Sequence, residues 1–159
     1  MGDELPDLVR EPKSGKVLKQ VALVLLFERH VETKIKVWYI GPDLPVWFDG
    51  TTEKQHRPMA LACHELLTSQ YDRPILDELG SRAVVPFVAF RLLLEAQPNG
   101  EEGALATDGT PNVLFVKDKH GVVRAMRANW FDVHGWSLGA VSVEYPDSWC
   151  DGTRIFSLP

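Results

Sequence analysis

Two four-residue stretches in the last third of the chain share one spelling, Asp118-Lys119-His120-Gly121 and Asp132-Val133-His134-Gly135. Asp at the first turn position accepts backbone hydrogen bonds, and Gly at the fourth relieves crowding, so both stretches read as reverse turns. Strand-like segments flank them: Val113–Lys117, Val122–Phe131 and Trp136–Val143. Strands joined by turns this short pair antiparallel, so this region is expected to form a meander. A last short strand, Arg154–Leu158, follows Pro146.

The N-terminal half is less constrained. Met1–Lys16 carries acidic residues, Pro6, Pro12 and Gly15 without periodicity, and reads as a flexible arm, leaving 17–159 as one domain. Val17–Phe27 is a crowded apolar run, while Val31–Ile40 alternates between its two faces. A strand pair turning near Arg29–Val31 fits, the first strand buried on both faces and the second on one. A helix over Val17–Phe27 stays open, because periodicity does not settle a short apolar run. Gly41–Pro45 and Asp49–Thr52 break regular structure. Pro58 then reads as a helix start, with Met59, Cys63, Leu66, Leu67 and Gln70 at helical spacing. Asp72 before Pro74 restarts the helical pattern, and Leu76, Leu79, Ala83, Phe87, Phe90 and Leu94 step by three or four. Pro86 would kink or end that helix, and a buried strand over Arg82–Leu94 is the competing reading. Gln97–Asn112 is loop, long enough to be either mobile or functional.

Strands in two runs around a helical block favour an α+β domain. Its sheet is expected to be mainly antiparallel, built from the N-terminal strand pair and the C-terminal meander, with the helical middle packed on one face. With 45% apolar and 25% charged residues the chain suits a packed core, which excludes disorder over most of its length. A net charge of −5 without any Lys/Arg block argues against nucleic acid. The longest uncharged apolar run, Val21–Phe27, is too short to span a bilayer. Two cysteines make no disulfide framework, so a soluble, cytoplasmic protein is expected.

Catalytic signatures are sparse. His64-Glu65 begins like a zinc-protease helix motif, but Thr68 stands where the second His belongs. The Asp132/His134 pair sits at a turn tip, and the other turn lies at the opposite end of a ten-residue strand, roughly 30 Å away. The two tips therefore cannot share one metal. His134, Asp132, His56 and His64 remain weak metal candidates, each with an ordinary structural reading as a turn or helix-surface residue. No phosphate-cradling glycine motif, serine elbow or activated cysteine is present, and no cofactor is expected.

Aromatic residues carry more information. Trp130 and Phe131 point to opposite faces of one strand, as do Trp38 and Tyr39, so one of each pair faces away from the main core unless helices cover both sides. Trp130, Trp136, Trp149 and Trp47, with Arg127 alongside, have the residue types of a binding hot spot; the ordinary alternative is a sheet core. The leading expectation is a small acidic, non-enzymatic protein-binding module of the inhibitor or immunity type. It would present aromatics and the 97–112 loop to a protein partner. The alternatives are a small metal-assisted hydrolase and a self-associating subunit of a larger assembly.

Overall fold

The computed structural model describes residues 15–29, 33–48, 55–143 and 148–159. The expected arm over 1–16, the turn at Arg29–Val31, the break at Asp49–Thr52 and Pro146 lie wholly or largely outside these residues. The fold is α+β, built on a seven-stranded mixed sheet with the order β1-β3-β7-β4-β5-β6-β2. The strands are β1 (Leu18–Leu26), β2 (Val37–Ile40), β3 (Met59–Leu66), β4 (Asn112–Lys117), β5 (Val123–Phe131), β6 (Gly135–Ser142) and β7 (Arg154–Ser157). Among the described residues three α-helices complete it: α1 (Asp43–Phe48), α2 (Asp72–Leu79) and α3 (Phe87–Ala96).

The meander forms as expected: β4, β5 and β6 pair antiparallel in sequence order. The N-terminal strand pair does not. β1 and β2 occupy opposite edges of the sheet, β1 antiparallel to β3 and β2 parallel to β6. As an edge strand β1 is not buried on both faces; Leu25 is 62% exposed. With β4 also parallel to β7, the sheet is mixed rather than uniformly antiparallel.

The helix expected from Pro58 is strand β3, held between β1 and β7. Its sequence, Met-Ala-Leu-Ala-Cys-His-Glu-Leu, contains no β-branched residue and favours helix by propensity. Pairing on both sides and burial on both faces override that preference. Leu61 and Cys63 enter one core and Leu66 the other.

The helical stripe from Leu76 to Leu94 is real but divided. α2 ends at Leu79, a short 3-10 turn follows over Gly80–Arg82, and α3 starts after Pro86. Leu79 and Ala83 pack on one face of the sheet, Phe90 and Leu94 on the other. The chain changes face where β7 stops: Val84 bridges to Phe115, and Leu158 N–H donates to Arg82 C=O at 2.9 Å. The helices therefore cover two faces, not one. α3 and α1 pack with Leu61, Leu114, Met126, Trp136 and Phe156. α2 packs with Leu18, Leu66, Val113, Phe115 and Ile155.

The 97–112 loop is latched rather than loose. Gln97 receives Leu105 N–H at 2.8 Å and donates to the carbonyls of Glu101 and Leu105. Asn112 receives Ala106 N–H at 2.7 Å and donates to the carbonyls of Ala106 and Ala128. Gly100, at φ +73°, lies against the Trp130 ring, where a Cβ would fall 2.2 Å from ring carbon Cε2. The loop thus closes one end of the α3 core.

Candidate interaction surface

Register divides the aromatic residues of β5 and β6. Trp130 and Trp136 are cross-strand partners whose rings meet edge to face at 5.4 Å. Both point into the α3 core, Trp136 fully buried and Trp130 nearly so. Their indoles are satisfied there: Trp130 Nε1–H donates to Asp132 Oδ1 at 2.8 Å and Trp136 Nε1–H to Gln97 C=O at 2.9 Å. Alternation then sends Arg127, Asn129 and Phe131 to the opposite face. Facing them on β6 are Gly139, Ser137 and Gly135, with Tyr39 of β2 beside Ser137.

Further along, this face is covered by α2 and Trp149, over β1, β3, β7, β4 and the start of β5 at Ala125. Above the rest of β5, and above β6 and β2, no described helix lies over it. Trp38 is 53% exposed, Tyr39 50% and Phe131 40%. Trp38 meets Phe131 edge to face at 5.1 Å and stacks on the His134 ring at 4.8 Å. Every residue of β2 is exposed. Aromatic clusters normally seek burial, so a water-facing one on a sheet edge is a candidate contact surface.

The two turns with one spelling behave differently. Asp118 Oδ1 accepts the N–H groups of His120 and Val122, and Oδ2 accepts Arg124 Nε at 2.9 Å. Burial pushes its carboxyl up, but hydrogen bonds from Val122, Arg124 and His120 and the Arg124 charge outweigh this and hold it below the usual range. In the second turn Asp132 serves the Trp130 indole instead. Val133 there has φ +74°, the one non-glycine residue at positive φ among the described residues, and is 84% exposed. Gly135 is required: at φ +121° a Cβ would fall 2.7 Å from the Lys36 carbonyl oxygen.

Arg127 lies across Gly139, where a Cβ would sit 3.4 Å from its Nη2. Its Nε is buried and has no hydrogen-bond partner among the described residues.

The remaining sequence candidates are spread through the fold. Trp149 is buried, its indole donating to Asp72 Oδ1 at 2.6 Å. Trp47, half-buried on α1, lies 3.8 Å from the Arg124 guanidinium. His56 borders a cleft of about 570 Å³ with Glu28 and Arg57. His64 lines a separate cleft of about 210 Å³ with Glu78 and Arg82. Among the described residues no three His, Cys, Asp or Glu side chains gather where a metal could be held.

His64 Nε2 lies 2.8 Å from Ser157 Oγ, a contact that could suggest an activated nucleophile. However, the Ser157 hydroxyl donates its single proton to Leu158 C=O, so the imidazole N–H donates to Oγ instead of accepting from it. Ser157 is also fully buried. Burial, and then the Arg82 charge, lower the His64 pKa to about 4 against a smaller opposing effect of Glu78, so the ring is neutral. Cys63 is pushed up to about 12, chiefly by burial, and is an inert core thiol.

Sequence named Trp38, Tyr39 and Phe131 as aromatics on two-faced strands, but its binding candidates were Trp130, Trp136, Trp149, Trp47 and Arg127. The signal was partial: adjacent aromatics on a strand require one to face outward, but which one depends on where the helices lie. No family model, curated protein or solved structure matches the chain. No described helix is long and apolar enough to cross a membrane.

Proposed function

We propose that the chain is a non-enzymatic protein-binding module of the inhibitor or immunity type. It would engage its partner through the uncovered half of the sheet face. The observation that carries this reading is the water-facing cluster of Trp38, Phe131 and His134, with Tyr39 beside it. Trp, Tyr and Arg are the residue types that dominate binding hot spots, and Arg127 shares the face. The latched 97–112 loop borders it, since Asn129 Nδ2 donates to Gly109 C=O at 3.0 Å.

The test is tagged capture of partners from source-cell lysate, comparing wild type with Trp38→Ala/Phe131→Ala. The double variant is expected to keep its melting temperature within a few degrees and to lose a stoichiometric partner. Truncated hot-spot residues commonly cost about 2 kcal/mol or more each. An unchanged partner profile would remove the reading. A second reading, association between copies of the chain, draws on the same exposed edge strand β2. It predicts a concentration-dependent dimer that the same substitutions abolish.

A further inference from the structure

The composition of the uncovered face differs from that of the chain as a whole. The protein carries a net charge of −5, yet among the described strand residues of this half-sheet the charged group is the Arg127 guanidinium. Gly139 gives it room to lie across β6, and its buried Nε has no acceptor among the described residues. Lys36 adds a second cation at the rim, its Nζ donating to Val133 C=O at 3.0 Å. The nearby acid, Asp132, already receives the Trp130 indole N–H. Nε itself is closed off, but no described residue is shown hydrogen-bonded to this guanidinium, and a carboxylate reaching its Nη groups supplies two parallel hydrogen bonds.

Resting on the binding reading above, we propose that the partner presents an extended protein segment with a specific pattern. An Asp or Glu side chain sits over Arg127, and an apolar side chain sits over Trp38 and Phe131. Arg127 and Phe131 lie four residues apart on β5, about 13 Å at ~3.3 Å per residue. In an extended partner segment, side chains four residues apart share a face and span the same distance. The recognition pattern is therefore acid-x-x-x-apolar, and Arg127 determines its specificity.

Synthetic threonine-rich peptides test this by NMR, reading the Arg127 Nε–H and Trp38 Nε1–H resonances of the whole protein. The first peptide carries Glu and Leu four residues apart. The second replaces Glu with Gln, and the third moves Leu one residue closer to Glu. The first is expected to shift both resonances, with the Gln peptide at least tenfold weaker and the Glu peptide losing affinity as salt is raised. Arg127→Gln should erase the difference between the Glu and Gln peptides, and Arg127→Lys should restore part of it, with melting temperatures confirming that both variants fold. Equal binding of the Glu and Gln peptides, with only Trp38 responding, overturns the acidic pattern and leaves the docking face standing. Equal response to the first and third peptides overturns the spacing. No response to any of them at millimolar concentration overturns the pattern and the docking face together.

Discussion

Replacing Val133 with glycine should make the protein more stable and, under the binding reading proposed above, its partner contact weaker. Val133 holds φ +74° with its side chain 84% exposed. The left-handed region costs an L-residue about 1–2 kcal/mol, and a β-branched side chain lies at the unfavourable end. Glycine removes that strain but raises the entropy of the unfolded chain by about 0.4–1 kcal/mol. Little apolar burial is lost, because the valine side chain is mostly in water. The balance is a gain of about 0.5–1 kcal/mol, or roughly 2–3 °C in melting temperature for a chain of this length. Urea denaturation should show a higher midpoint with an unchanged slope. Val133→Asn, which also tolerates this conformation, should gain in the same direction. Equal or lower stability for both variants would refute the strain argument. The same variants speak to function, because a strained, exposed apolar side chain next to His134, which stacks on Trp38, has a reason to persist if it touches a partner. Full partner affinity in Val133→Gly would sever that link.

Two further outcomes test the fold around the surface. Asn112→Ala removes three side-chain hydrogen bonds, to Ala106 N–H, Ala106 C=O and Ala128 C=O. A loss of about 3 kcal/mol is expected, with faster amide exchange at Ala106; a loss below about 1 kcal/mol would show that the loop does not depend on this latch. His64 should make stability pH-dependent, since its folded pKa, about 4, lies below the ordinary 6.5. Below pH 6.5 the unfolded chain binds the proton first, so this contribution is complete above 6.5 and lost as pH falls to about 4. It amounts to roughly 3 kcal/mol. His64→Gln should flatten the stability profile between about pH 6.5 and pH 4.5, above the main carboxylate range; an unchanged slope there would contradict the buried neutral imidazole.

The parts of the fold that sequence showed are those set by local rules. The turn residues and alternation from Val113 to Val143 gave the meander, and Pro86 marked a real break between helices. What it hid depended on distant neighbours. β3 looks helical by composition and becomes a strand because β1 and β7 flank it. β1 and β2 read as a hairpin because they are consecutive, yet they close opposite edges of the sheet. The candidate surface was half visible for the same reason. Adjacent aromatics at 130–131 and 38–39 announced that one of each pair faces away from the core. Choosing Phe131 over Trp130 required knowing that α3 and the Gln97 latch lie on the Trp130 side. Arg127, named from sequence, stays on the surface face, whereas Trp130, Trp136 and Trp149 hold the cores together.

The uncovered face follows from dimensions. Seven strands at about 4.8 Å spacing spread the sheet across nearly 29 Å. α2 is eight residues long, about 12 Å at 1.5 Å per residue, and a helix is about 10 Å across, so even with Trp149 beside it the packed layer stops over β1, β3, β7, β4 and the start of β5. Over the rest of that face no described helix lies, and Trp38, Tyr39 and Phe131 are left exposed. A sheet face meant for water is usually furnished with Lys, Glu and Thr, which screen the backbone without attracting partners. At these positions the chain places Tyr39 and Phe131, with Trp38 against them, and one guanidinium over a glycine. Such side chains are costly to leave wet and well suited to burial against a partner. The short helix therefore leaves a face, and the residues chosen for that face argue for its occupation.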